Sequence, residues 1–185
     1  MIIVGIITAV VLLFGIGFYN SLISKKNLVT NAFATIDVML KKRFDLLPNL
    51  VETVKQYMKY EGDTLSRIIE LRSKAVNSTA TEGDRLALDQ QIGTAVKGLM
   101  INVENYPDLK ANQNFLNLQN TWTESEEQIA AARRNYNAAV TSYNDAVMMF
   151  PGNMFAGMLG YEVMPVLVTA NEERQNPSAK SLFDN

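Results

Sequence analysis

The 185-residue chain contains no cysteine and no histidine. Without cysteine there is no disulfide framework, no thiol nucleophile, no thiolate metal site and no residue to carry a lipoprotein anchor. Without histidine there is no Ser-His-Asp relay, no imidazole general base and none of the Glu-x-x-His ligand pairs of di-iron helical bundles. Ser-Lys, two-carboxylate and oxygen-ligated metal chemistry survive these exclusions, but no motif selects any of them, and no cofactor is expected. An excess of either charge is lacking too: the net charge is -2 with both signs interspersed, so there is no footprint for nucleic acid and no acidic tail.

Charge is absent altogether from Ile2 to Ile23, and the first charges arrive together at Lys25 and Lys26. A helix over that run is roughly 33 Å long, enough to cross a hydrocarbon core of roughly 30 Å. Twelve large apolar residues lie between Ile2 and Phe18, among them Phe14. Each favours insertion by about 0.3 to 0.6 kcal/mol at a helix centre. A cleaved signal peptide would need a basic segment before the run and a small-x-small site after it, and Phe18-Tyr19-Asn20-Ser21 is a poor cleavage site. Residues 1–24 are therefore expected to be an uncleaved anchor in the lipid bilayer. Gly5 and Ala9 stand at the small-xxx-small spacing that lets membrane helices approach closely, although glycine is common in such helices generally. Lys25, Lys26, Lys41, Lys42 and Arg43 all follow the span, which by the positive-inside rule puts the rest of the chain in the cytoplasm; long domains are exported despite such charges, so the outer side stays open.

The remaining 160 or so residues suit one domain with a continuous core, which we place at residues 25–160. From Val29 the pattern becomes one-sided: Val29, Phe33, Ile36, Leu40, Leu47, Leu50, Val54 and Tyr57 recur at steps of three and four, apart from one gap. No Gly or Pro separates this stripe from the anchor, so one helix is expected to run from the membrane into a bundle standing on it, to about residue 60. Arg43 fills the gap in the stripe. Its stem can pack while its head reaches solvent, or it can pair internally with a carboxylate from another helix. Pro48 removes a hydrogen bond and collides with the Phe44 carbonyl, and because the apolar register continues through it a kink is expected, not a stop. A second helix is expected over 64–77, capped by Asp63, with Leu65, Ile68, Ile69, Arg72 and Val76 inward. A third, over 84–105, would be capped by Asp84, with Leu88, Ile92, Val96, Leu99 and Val103 inward and Pro107 ending it.

The fourth helix, over 109–150, carries the most regular signal. Phe115, Trp122, Ile129, Tyr136, Tyr143 and Phe150 recur every seven residues, with Leu118, Ser125, Ala132, Ala139 and Ala146 at the companion position. That repeat predicts coiled-coil-like packing at shallow angles, with Trp122, Tyr136 and Tyr143 as core residues. The fold class is thus all-α: a transmembrane helix continuing into an elongated antiparallel four-helix bundle. Residues 153–160 form a short turn holding Met154, Phe155, Met158 and Leu159, and 161–185 a short extended C-terminal arm that is polar near its end apart from Leu182 and Phe183. These six apolar residues are the partner-contact candidates.

Three segments resemble the LemA family of bacterial membrane proteins. The first is Lys42-Arg43-Phe44-Asp45-Leu46-Leu47-Pro48-Asn49-Leu50-Val51, followed by Val54. The second is Glu104-Asn105-Tyr106-Pro107-Asp108-Leu109-Lys110-Ala111-Asn112, with Phe115, Leu118 and Gln119 following. The third is Arg133-Arg134-Asn135-Tyr136-Asn137, then Val140, Tyr143-Asn144 and Phe150-Pro151-Gly152-Asn153. The resemblance implies a single span in the bacterial cytoplasmic membrane and an elongated helical bundle, no assigned catalytic residues, and a gene neighbourhood that suggests a membrane metallopeptidase or other envelope protein as partner. Met148-Met149, Met154, Met158 and Met164 depart from the family pattern.

The function expected from these features is a membrane-anchored scaffold or interaction module that forms a homo-oligomer or recruits a partner, and not an enzyme. A membrane-shaping ordered oligomer is the alternative. A carboxylate-based hydrolase or metal-binding protein is the weaker alternative: Asp45 near Arg43 is one candidate, and Glu124, Glu126 and Glu127 are another, although adjacent residues fan out around a helix instead of converging.

Overall fold

The computed structural model describes residues 1–77 and 79–167. They are helical, with no strand among the described residues. The elements are α1 (Ile2–Lys55), α2 (Gly62–Val76), α3 (Glu82–Asn102), a 3₁₀ turn (Val103–Asn105), α4 (Pro107–Lys110), α5 (Gln113–Met148) and α6 (Gly152–Leu159). The described residues fall into two compact units, 1–30 with 135–167 and Asn31–Arg134.

Helix α1 is unbroken over 54 residues and carries Pro48 in its interior. Its N-terminal part is the one stretch among the described helices long and apolar enough to cross a membrane, and none of that stretch is buried. From Leu22 onward one face is buried: Leu22, Val29, Ala32, Ile36, Leu40, Arg43, Phe44, Leu47, Leu50 and Val54 follow the 3.6-residue period. Phe33 and Tyr57, expected inward, are half-buried at the edge of that face.

The caps differ from the sequence reading. At the start of α2 the cap position is Glu61, which makes no side-chain cap bond, and Asp63 lies in the first turn, where its charge suits the helix dipole. At the start of α3 the cap is Thr81: its hydroxyl accepts from the Asp84 amide, and the Asp84 carboxylate accepts from the Thr81 amide at 2.9 Å, a reciprocal capping box. Pro107 does not end α3, which stops at Asn102; it opens α4, where its missing N–H costs nothing. Helix α5 starts at Gln113, capped by the Asn112 side chain accepting from the Phe115 amide at 3.1 Å.

Two core assignments also shift. In α2 the buried face is Leu65, Ile68, Leu71 and Ala75, while Ile69 and Val76 are exposed. Both sets obey helical spacing; Arg72, expected inward, is half-buried, donating to the Phe44 carbonyl at 2.9 Å and pairing with Asp45 at 3.6 Å. In α5 the heptad holds at Phe115, Trp122, Ile129 and Tyr143, loosens at half-buried Tyr136, and fails at Phe150, which is exposed because the helix ends two residues earlier.

Candidate membrane-contact and interaction site

The unit formed by residues 1–30 and 135–167 has its core in Leu22, Val29, Val140, Tyr143, Val147 and Ala156. After α5 ends at Met148, the chain turns through a cis Phe150–Pro151 peptide into α6. Helix α6 sets Phe155 against α1, with ring centroids 5.6 Å from Phe18 and 6.5 Å from Phe14. Gly152 makes the approach possible. A Cβ there would lie 2.2 Å from the Ala146 carbonyl oxygen and 2.9 Å from the Phe18 ring. Gly160 then reverses the chain with φ of 70°, the left-handed helix end that glycine adopts without a Cβ penalty.

Residues 161–167 return along α5 without secondary structure of their own, held by side chains. The Asn144 amide donates to the Met164 carbonyl at 2.8 Å and accepts from the Met164 N–H at 2.8 Å. Two helical turns earlier, Asn137 does the same for Leu167, at 2.9 and 2.8 Å. Tyr143 donates its hydroxyl proton to the Glu162 carbonyl at 3.0 Å. Each asparagine thereby satisfies both main-chain groups of one residue, as a neighbouring strand would. Lys25 donates to the Ser142 hydroxyl at 2.7 Å, and the Lys26 ammonium sits 5.6 Å from the centre of the Tyr161 ring.

In the other unit the conspicuous group is Arg43, whose guanidinium does not reach solvent and is 5% exposed. Its Nη2 pairs with Glu126 Oε1 at 3.0 Å, and its Nη1 lies 3.3 and 3.4 Å from the two Asp89 oxygens, longer than a good charge-assisted bond. The Arg43 plane covers the Trp122 ring at 4.0 Å, and the Trp122 indole donates to the same Glu126 oxygen at 3.0 Å. Arg43 Nε and Asp89 Oδ1 are buried without a hydrogen-bond partner among the described residues. Burial pushes the Asp89 carboxyl above the usual aspartate range, while the Arg43 and Arg133 charges pull it back. This arrangement fixes four side chains, of which Glu126 is half in solvent and held by Arg43 and Trp122.

The carboxylates considered for chemistry are dispersed. Asp45 pairs with Arg72 and not with Arg43. Glu126 is committed to Arg43 and Trp122, and Glu124 accepts from Gln128 at 2.7 Å. Among the described residues no three acidic side chains converge as metal ligands would. An open groove of about 680 Å³ between the C-terminal turn of α1 and α2 is walled by Val51, Met58, Leu65 and Ile69, and its charged groups, Lys55, Lys59 and Glu70, are exposed.

Of the partner-contact candidates, Met154, Met158 and Leu159 are exposed, whereas Phe155 is half-buried against α1 and is no free surface. Leu182 and Phe183 lie outside the described residues. Within the candidate anchor Ile2, Gly5, Ala9 and Phe14 are exposed and Phe18 is half-buried. Among the structural candidates, Trp122 and Tyr143 are buried, Tyr136 is half-buried, and Pro48 is half-buried within α1. Sequence reasoning missed Asp89; Asn137, Asn144 and Gly152 stand in the third LemA-like segment but were given no role. The two asparagines had a signal, a polar amide repeated at seven residues beside the aromatic heptad.

The chain is 29% identical over 167 residues to Protein LemA of Metamycoplasma hominis, covering 90% of this chain and 76% of that protein. It is 25% identical over 169 residues to Magnetosome protein MamQ 2 of Paramagnetospirillum magneticum and 23% identical to Magnetosome protein MamQ of Magnetospirillum gryphiswaldense. Each of those alignments covers 78% of this chain and 62% of the relative, so the chain spans under two thirds of the MamQ proteins. Neither protein's name states an enzymatic activity. The sequence pattern of the LemA family matches residues 32–180, which takes in the Arg43 cluster, the asparagine clamps and α6, and the chain therefore belongs to the LemA family.

Proposed function

We propose that this chain is a single-span membrane protein whose helices form an antiparallel four-helix bundle on the cytoplasmic side of a bacterial inner membrane. In this reading the bundle is a scaffold, associating with further copies of itself or holding an envelope partner such as a membrane metallopeptidase, and it catalyses nothing. The observation that carries the reading is the continuity of α1. One unbroken helix is uncharged and exposed over its first part and supplies a buried face from Leu22 to Val54. Exposed apolar surface on such a helix has its natural solvent in lipid, and the same backbone then supplies the buried face. The dispersed carboxylates favour an interaction role over chemistry.

Photo-crosslinking residues placed at Tyr60 and Ile101, both exposed and apolar in the Arg43 unit, test the scaffold in living cells. The expected outcome is a discrete adduct with a second copy or with one membrane protein. A chain that forms no protein adduct at either position and runs as a monomer in mild detergent contradicts it. Sidedness is read with Asn120→Cys, exposed on α5 in a chain with no other thiol. An impermeant maleimide should label it only after lysis, and labelling in intact cells would place the bundle outside.

A further inference from the structure

We infer that the turn from the end of α5 through α6 is a second membrane element, a re-entrant hairpin that dips beside α1 into the acyl chains. The inference rests on the reading of α1 as a span. Phe155 packs on Phe18 and Phe14, which precede Lys25 by seven and eleven residues. At 1.5 Å per residue, α6 touches α1 roughly 10 to 16 Å below Lys25, well inside a core of roughly 30 Å. If α1 spans, α6 has nowhere else to be.

The composition fits that depth. The sixteen residues from Ala146 to Tyr161 carry no charge, and Asn153 is their one amide. Met148, Met149, Phe150, Met154, Met158 and Leu159 point outward and are exposed, Met158 to 85%. In water that is a poor surface; against acyl chains it is the expected one, and lipid is the occupant that covers it. Polar groups gather where the hairpin would leave the membrane. Asp145 and Glu162 are the first charges on either side, Lys25 bonds Ser142, and Tyr161 lies under Lys26, the aromatic-and-lysine pairing of a membrane face.

Hydrocarbon favours a backbone that satisfies its own polar groups, and four N–H groups of the turn and its exit do so. The Met149 N–H donates to Asp145 O at 2.9 Å, Asn153 N–H to Met149 O at 2.9 Å, Met154 N–H to Pro151 O at 3.2 Å and Tyr161 N–H to Ala156 O at 3.0 Å. Pro151 has no N–H to satisfy, and Gly152 lets the turn close tightly. The asparagine clamps begin at Met164, beyond the charged rim.

Depth-resolved quenching tests the hairpin on the full chain. Single cysteines at Met154, Met158, Leu13 or Ala138, all exposed, each carry an environment-insensitive fluorophore in vesicles of phosphatidylcholine and phosphatidylglycerol with nitroxide-labelled acyl chains. The expected result is that the labels at Leu13, Met154 and Met158 lose most of their fluorescence while that at Ala138 keeps it. Quenching at Leu13 with none at Met154 and Met158 leaves the span standing and overturns the hairpin. No quenching at Leu13 or at α6 overturns both.

Discussion

Replacing Arg43 by methionine keeps the length of the stem and removes the guanidinium from a site where it is 5% exposed. Three partners lose it. The Glu126 pair is half in solvent and contributes little. The Trp122 stacking, at 4.0 Å and desolvated, is worth about 2 kcal/mol. Asp89, itself buried, is left without its cation, and breaking a buried pair from one side costs about 3 to 5 kcal/mol in all. For a chain of this length that lowers Tm by on the order of 10 °C. Thermal unfolding of the full chain, followed by circular dichroism and by Trp122 fluorescence, reads it. Because Nη1 lies 3.3 to 3.4 Å from Asp89 and one oxygen is unbonded, the pair is a loose one; R43M combined with D89L should recover most of the loss. The pH dependence has a defined sign. A carboxyl raised by burial stabilises the fold fully below its ordinary pKa, and that contribution is lost as pH rises through the folded value. Without Arg43 the rise is larger, so the deficit of R43M should shrink on acidification. A loss under about 1 kcal/mol, or a double variant no better than the single, would refute the argument.

Asn144→Ala leaves the Met164 N–H and C=O unpaired, about 1 to 3 kcal/mol for each group that stays buried, and hydrogen exchange should lose protection at residues 161–167 while the Arg43 unit is unchanged. Gly152→Ala drives a methyl into the Ala146 carbonyl and the Phe18 ring; it should cost at least about 1 to 3 kcal/mol and open the α5–α6 turn to proteolysis in detergent. Thr81→Ala removes the hydroxyl that, with the Thr81 backbone N–H, holds the Asp84 carboxyl below its ordinary range, so its pKa, followed by carboxyl-carbon NMR, should rise and α3 should fray at its start.

Much of the helical framework was legible because helices declare themselves by period. The α1 stripe, the α5 heptad through Tyr143 and the odd polar residue at Arg43 all follow from spacing alone. What spacing could not supply was the partner. Asp89 lies 46 residues from Arg43 and was hidden because aspartate on a helix is ordinarily solvated. In α2 two faces obey the same spacing, so spacing alone did not choose between them. Asn137 and Asn144 stood in a family-like segment at a seven-residue repeat, but their role as clamps acts on main chain and is visible only once the returning segment is in place. Phe155 was recognised as apolar, but its packing against Phe14 and Phe18 joins a short turn to a run that by itself reads only as lipid-facing.

The coupling of α1 to the bilayer is tested most directly by extracting membranes from cells that make the full chain with alkaline carbonate, which strips peripheral proteins and leaves spanning ones. The chain should stay in the membrane pellet, and a Leu13→Arg, Ile7→Arg variant, whose charges disfavour insertion by about 2.5 to 3.5 kcal/mol each, should move to the soluble fraction. Release of the unmodified chain into the supernatant would contradict the account.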